Sequence, residues 1–378
     1  MTGGVHRRVL HVLPHPGGGG ETYVDTLASM PGYRFGRIFL ASRRRGPSLV
    51  SLAARAVRTN GALLGPDIVH VHGEVAALAC LPGLVLGPSV VTLHGLSLLR
   101  RLSGARADAA ALGLRLVVRS ATRTICVSEA ERRQVIGVLG PRHADRVVTI
   151  KNGIAILPRP SAAERGAARA ELGIPAGAFV VASVAELEPV KDPLTVARAA
   201  IAAGLTQPVA LLFAGDGSLR GELERVAAAD RAGSVRVLGF RSDVSRILAA
   251  SDAFVLASSR EGLPYALLEA MSLAVPAVVS DAAGCVEAVG DAGVVVRRGD
   301  VQGFADAFRG LAADQQRRER LGARGRERVS RLFRSDVMVE GTRRLYDAVI
   351  GGTGDSGARS PAARSGSLRG SRRSRGDA

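Results

Sequence analysis

The strongest constraint on this chain is a rhythm of short, continuous apolar runs, each followed by a longer segment with helical spacing. One series lies at 8–13, 36–40, 67–71, 89–93, 123–127 and 146–150, and a second at 178–184, 208–213, 234–238, 252–257, 276–280 and 293–296. Such runs suit strands covered on both faces, and strand–helix alternation produces parallel sheets wrapped by helices. The expected fold class is α/β, and 378 residues allow two Rossmann-like domains. Asn152, Gly153, Pro158 and Pro160 break regular structure between the two series, which sets the expected domains at 1–157 and 158–334. A last helix is expected at 335–350. From Gly351 to residue 378, Gly, Ser and Arg dominate without a recurring apolar position, the composition of a disordered tail.

Composition narrows the class. Hydrophobic residues at 47% with 22% charged ones describe a soluble globular enzyme. Cys80, Cys126 and Cys285 share no metal-ligand spacing and read as free thiols in a reducing cytosol. No secretory signal is expected, because Val9–Leu13 is too short and runs into Pro14, His15 and Pro16. The uncharged stretch from Val75 to Leu93 is interrupted by Pro82, Gly83, Gly87 and Pro88, so it reads as helix, turn and buried strand rather than a membrane span. The formal charge of +17 is uneven: residues 1–157 hold 20 Lys+Arg against 8 Asp+Glu, residues 158–350 hold 25 against 24, and residues 351–378 hold 6 against 2. Clusters at Arg43–Arg45 and at Arg100, Arg101 and Arg106 stand out in the basic half, which implies an anionic partner there. Nucleic acid is not that partner, since charge without a motif or interleaved aromatics makes no such surface.

Chemistry gathers between Ser258 and Glu287. An apolar run ends at Ser258 and Ser259, a loop carries Glu261 and Gly262–Leu263–Pro264, and a helical pattern follows in Leu267, Leu268, Met271 and Leu273. A strand end opening onto a helix N-terminus is where parallel sheets bind ligands, because unpaired N–H groups and a partial positive charge point outward. Pro264 suits the first helical turn, with Glu261 in the loop and Glu269 one to two turns along the helix, so two carboxylates face one cleft at different depths. That spread suits two sets of hydroxyls on one extended ligand. The glycine run Gly17, Gly18, Gly19 and Gly20 follows the first strand and allows close backbone approach at a cleft, but it is neither a dinucleotide fingerprint nor a P-loop. His94 and Gly95 end another strand, as does Gly215. His70 and His72 alternate on a strand with no third ligand spaced for a metal, and read as structural or cleft-lining.

The pair Glu261 and Glu269, with seven residues between them, resembles the donor-binding signature of the retaining GT-B glycosyltransferases of family 4. The segments VLHVLPHPGGGGE, DIVHVHG, VTLHG, ICVSEAERR, IKNGI, FAGDGSLRGELE, VLGFRSDVSRILAASDAFVLAS and GCVE are similar to that family's landmarks in order, over about Val9 to Tyr346. The resemblance implies two domains facing across a cleft, with the first on the acceptor side, the second binding a nucleoside diphosphate sugar, and the last helix crossing back to the first. It implies Lys191 on the diphosphate, Glu269 on the ribose, Glu261 on the sugar hydroxyls, and His94 and the glycine loop near the reaction centre. No metal or cofactor is required in this scheme, since helix N-termini and Lys191 neutralise the leaving diphosphate. Glu186 stands where the family carries an arginine, a charge reversal that makes a catalytically impaired binding or scaffold subunit the alternative expectation. The family's acceptors include glycolipids, saccharides and small metabolites, as in cell-envelope or polysaccharide biosynthesis. The expected location is cytoplasmic, with peripheral attachment to an anionic membrane through the basic half and tail.

Overall fold

The computed structural model describes residues 6–41, 59–96, 104–205 and 208–354. All twelve expected strands form. The first sheet contains β1 (Arg7–Leu13), β2 (Tyr33–Phe39), β3 (Ile68–His72), β4 (Ser89–Leu93), β5 (Arg123–Cys126) and β6 (Val147–Thr149) in the order β2-β1-β3-β4-β5-β6. The second contains β7 (Phe179–Val184), β8 (Val209–Ala214), β9 (Val235–Gly239), β10 (Ala253–Leu256), β11 (Ala277–Ser280) and β12 (Gly293–Val296) in the order β12-β11-β10-β7-β8-β9. The observed strand pairs are parallel. Central strands such as β3, β4 and β10 are buried along their whole length, which is why they are apolar throughout. β2 starts three residues earlier than its apolar run, because an edge strand needs only one covered face: Tyr33 is buried while Arg34 is exposed.

Topology decides where a ligand can sit. Strand order reverses between β1 and β3 in one sheet and between β7 and β10 in the other, and crevices open at the carboxyl ends of such switch points. The glycine run leaves β1, Glu186 and Lys191 leave β7, and Glu261 leaves β10.

The segment joining the sheets and the one returning to the first run side by side. Ile154 bridges Arg334, and a Cβ on Gly153 would lie 2.3 Å from the Arg334 carbonyl oxygen, so only glycine admits that approach. The helix Ser335–Gly354 then packs on the first sheet: Asp347 accepts from Arg7 and from the Tyr33 hydroxyl at 2.7 Å each, and Tyr346 is buried with its hydroxyl 2.5 Å from His70 Nδ1. This helix extends to Gly354, past the residue 351 expected to open the tail. One apolar cluster includes Val9, Tyr23 and Ile125 of the first half, Phe254 and Leu268 of the second, and Tyr346 of the returning helix. The stretch from Val75 to Leu93 forms two short helices and β4, and no helix among the described residues is long and apolar enough to cross a membrane. The clusters Arg43–Arg45 and Arg100–Arg101, the side chain of Arg106, and the tail from 355 lie outside the described residues.

Candidate active site

Between the two switch points lies a cavity of about 540 Å³, lined from the first half by Gly17–Gly20, His72, Glu74 and His94 and from the second by Glu186, Lys191, Gly215, Glu261–Pro264 and Glu269. Every residue singled out from the sequence as a site candidate is on this wall.

Glu261 is held from two sides. Its Oε1 accepts from Lys191 Nζ at 2.6 Å and from Ser258 Oγ at 2.7 Å, and its side chain is 9% exposed. Lys191 ends a short 3₁₀ turn, Pro189–Lys191, after which Asp192 takes a left-handed conformation (φ 47°) and caps the helix Pro193–Ala203 by accepting from Thr195 N–H. Burial lowers the Lys191 pKa, but the charge and hydrogen bond of Glu261 more than offset this, and the net shift is upward. Lys191 is therefore a cation at neutral pH, paired to a carboxylate while also facing the cleft.

Pro264 proves to be the N-cap rather than a first-turn residue: its ψ of 124° is extended, and the helix runs Tyr265–Ser272. No side chain caps that N-terminus, so its first-turn N–H groups face the cavity that Pro264, Tyr265 and Ala266 line. Glu269, on the same helix, lines the cavity too, and burial pushes its carboxyl pKa up. Glu186 sits across from the glycine loop, where a Cβ on Gly18 would lie 4.0 Å from its Oε1.

The two halves meet backbone to backbone. A Cβ on Gly262 would come within 3.0 Å of Gly95 N–H nitrogen and 2.9 Å of Val127 Cγ2. Around this contact are supports that sequence reasoning missed. Asn152 Nδ2 donates to the Leu263 carbonyl at 2.8 Å. Buried Glu131 accepts from Gly95 N–H at 2.5 Å and from Val127 N–H at 2.8 Å. Glu287 reaches from the second half to accept from Glu129 N–H at 3.1 Å and Ala130 N–H at 2.7 Å, with Lys151 Nζ 3.2 Å away. Ser128 followed three residues on by Glu131 was a legible helix-start signal, but the partners of both glutamates lie far off in sequence.

Histidines form the largest departure from the sequence reading. The β1–β3 register sets His11 opposite His70, so His70 and His72 do gain a third histidine whose ring nitrogens lie within 4.8 Å of theirs. Imidazole is a good donor to transition metals. Here the nitrogens are largely engaged with one another and with hydroxyls: His70 contacts Tyr346 at 2.5 Å and Thr92 at 2.6 Å, while His72 contacts His11 at 2.8 Å and His94 at 3.0 Å.

Comparison with known proteins agrees with this geometry. A model of Glycosyltransferase Family 4 matches residues 6–156, and a model described as Glycosyl transferases group 1 matches residues 164–328. A UDP-Gal:α-D-GlcNAc-diphosphoundecaprenol α-1,3-galactosyltransferase of Escherichia coli is 32% identical over 197 residues, half of each chain. A D-inositol 3-phosphate glycosyltransferase of Kineococcus radiotolerans is 28% identical over 262 residues, 63% of this chain and 60% of the relative. The chain thus spans about half to three-fifths of the curated relatives it matches. Among solved structures, HepE of Anabaena in complex with UDP-glucose superposes with a TM-score of 0.77 at 22% identity, over 91% of this chain and 100% of that one. Sucrose-phosphate synthase of Thermosynechococcus elongatus gives 0.77 at 19% identity, over 92% and 100%. At such identities the superpositions speak for the fold alone, which is GT-B. The two family models, matched in succession over 6–156 and 164–328, make this chain a member of the group 1, family 4 glycosyltransferases.

Proposed function

We propose that the chain transfers a sugar from a nucleoside diphosphate sugar to an acceptor, with retention at the anomeric carbon. The observation that carries this is the single cavity gathering a lysine, two separated glutamates, a histidine, a glycine loop and an uncapped helix N-terminus between two switch points. Lys191 and the helix N-terminus meet the diphosphate, where positive charge stabilises the leaving group. Glu269 accepts from the ribose hydroxyls and Glu261 from those of the sugar. On this reading the Lys191–Glu261 bond is shared with the incoming diphosphate, so the donor draws the lysine partly from its carboxylate partner. Solved relatives by fold that bind UDP and glucose support the donor class. The first half faces the acceptor, and its positive charge favours an anionic acceptor or one displayed on an anionic membrane surface.

Incubation of the protein with a panel of nucleoside diphosphate sugars tests the reading. One sugar nucleotide should release nucleoside diphosphate above background, and the anomeric configuration of the product should match the donor's. Release from none of the panel, with acceptors from all three classes present, would leave a binding subunit instead.

A further inference from the structure

Three imidazoles run in a hydrogen-bonded line from inside the first sheet to the cavity. His11 Nδ1 lies 2.8 Å from His72 Nε2, and His72 Nδ1 lies 3.0 Å from His94 Nε2. Consecutive ring centroids are 5.1 and 5.3 Å apart. The ring atom of His94 that the chain leaves over is Nδ1, on a residue lining the cavity. Burial pushes the pKa of His11 down to about 3 and that of His94 to about 4, and holds His72 well below its ordinary value, so all three rings are neutral at physiological pH.

A neutral imidazole has one donor and one acceptor nitrogen. Two consecutive bonds among three such rings can therefore be made in only two ways: every ring carries its proton on Nδ1, or every ring carries it on Nε2. The inner end chooses between them. His11 Nε2 is buried without a hydrogen-bond partner among the described residues. Protonated, it would strand an N–H in the core; unprotonated, it is a bare lone pair on a ring that feels the positive charge of Arg37. The outer end agrees, because His94 lines a cavity whose wall also carries the acceptors Glu186, Asp216, Glu261 and Glu269, and Nδ1 is the one His94 ring nitrogen left outside the line of bonds. The line stops at His11, so it has no exit for a proton and does not act as a relay.

We propose that His11 and His72 are positioning residues that fix His94 as its Nδ1–H tautomer, so that it presents a hydrogen-bond donor to an oxygen of the sugar in the cavity. Against an ordinary core histidine this is distinctive, since a ring free in water favours Nε2–H. His94 then donates to the ligand rather than withdrawing a proton from it. The identity of that ligand rests on the glycosyltransferase reading; the tautomer does not.

Long-range proton–nitrogen correlation spectra of the full chain labelled with nitrogen-15 histidine read the tautomers directly, with His94→Phe, His72→Phe and His11→Phe supplying assignments. The wild type should show Nδ1–H at all three rings. His72→Phe should release His94 toward Nε2–H, and His72→Asn, whose amide can donate from the Nδ1 position, should restore Nδ1–H. With an active donor sugar, kcat/KM should fall roughly fivefold to tenfold in His72→Phe, the effect of one neutral hydrogen bond, and recover in part in His72→Asn. A wild-type His94 in the Nε2–H form overturns the proposal even if no variant folds, as does a His94 tautomer indifferent to His72→Phe. If the tautomers are as stated but no sugar nucleotide is turned over, the positioning stands and the glycosyltransferase reading falls.

Discussion

At the scale of single residues, the proposed donor site separates groups assigned to the ligand from groups that hold them in place. Glu269, on the cavity wall, is assigned to the ribose. On that proposal Glu269→Gln removes a charge-assisted hydrogen bond and should weaken nucleotide-sugar binding by about 1–3 kcal/mol; unchanged affinity by calorimetry would remove it from the site. Glu186 is the group whose sign opposes a diphosphate. Because it faces the glycine loop near Lys191, Glu186→Arg should tighten nucleoside diphosphate binding, less so as salt rises. Weaker binding instead would mean that the carboxylate already serves a structural partner. Which residues lie on the cavity wall was legible in the sequence, because each follows a strand end and chain order fixes that edge. The pairing of Glu261 with Lys191 and the entry of His11 into the histidine line were not, because both arise from neighbouring strands that no local spacing connects.

At the scale of elements, the twelve strands were legible because buried parallel strands are apolar throughout. Boundaries shifted where that rule relaxes, as at the edge strand β2 and at Pro264, whose extended ψ places it just outside the helix. What the pattern could not reveal is the clasp between halves. Glu287, on the helix Ala283–Val289, caps the helix Glu129–Leu139 from across the molecule. A helix cap contributes typically 1–2 kcal/mol, so Glu287→Ala should lower stability by about that amount, with Glu287→Gln retaining part of it. Urea titration of both variants checks this, and equal loss in the two would show that the negative charge, not the acceptor geometry, matters. Since the clasp joins the halves beside the Gly95–Gly262 contact, small-angle scattering should also show a larger radius of gyration for Glu287→Ala.

At the scale of the whole molecule, the buried histidines tie stability to acidity. His11, His70 and His72 are fully buried, and burial comes first among the causes that depress each pKa. Rings kept neutral in the fold but free to take a proton when unfolded stabilise the fold fully above about pH 6.5, and that stability is lost as pH falls toward the depressed values. All three rings pull in the same direction, so the fold should be markedly less stable at pH 5 than at pH 7. Urea midpoints at pH 7 and pH 5 test this; a midpoint that scarcely moves would mean that these rings are hydrated or already charged in the native state.

The returning helix gives the molecule a history as well as a shape. Tyr346 fills a slot beside His70 and Tyr33 in the first sheet, yet it is synthesised about 200 residues after β6 closes that sheet. At ribosomal rates of roughly 5–20 residues per second, the gap lasts about 10–40 s. Throughout it the nascent first half has its strands and its own helices but lacks the returning helix, and the hydroxyl that will satisfy His70 does not yet exist. The half made first is therefore completed last, and during translation the slot awaiting Tyr346 is the exposed surface on which a chaperone or a neighbouring nascent chain can settle.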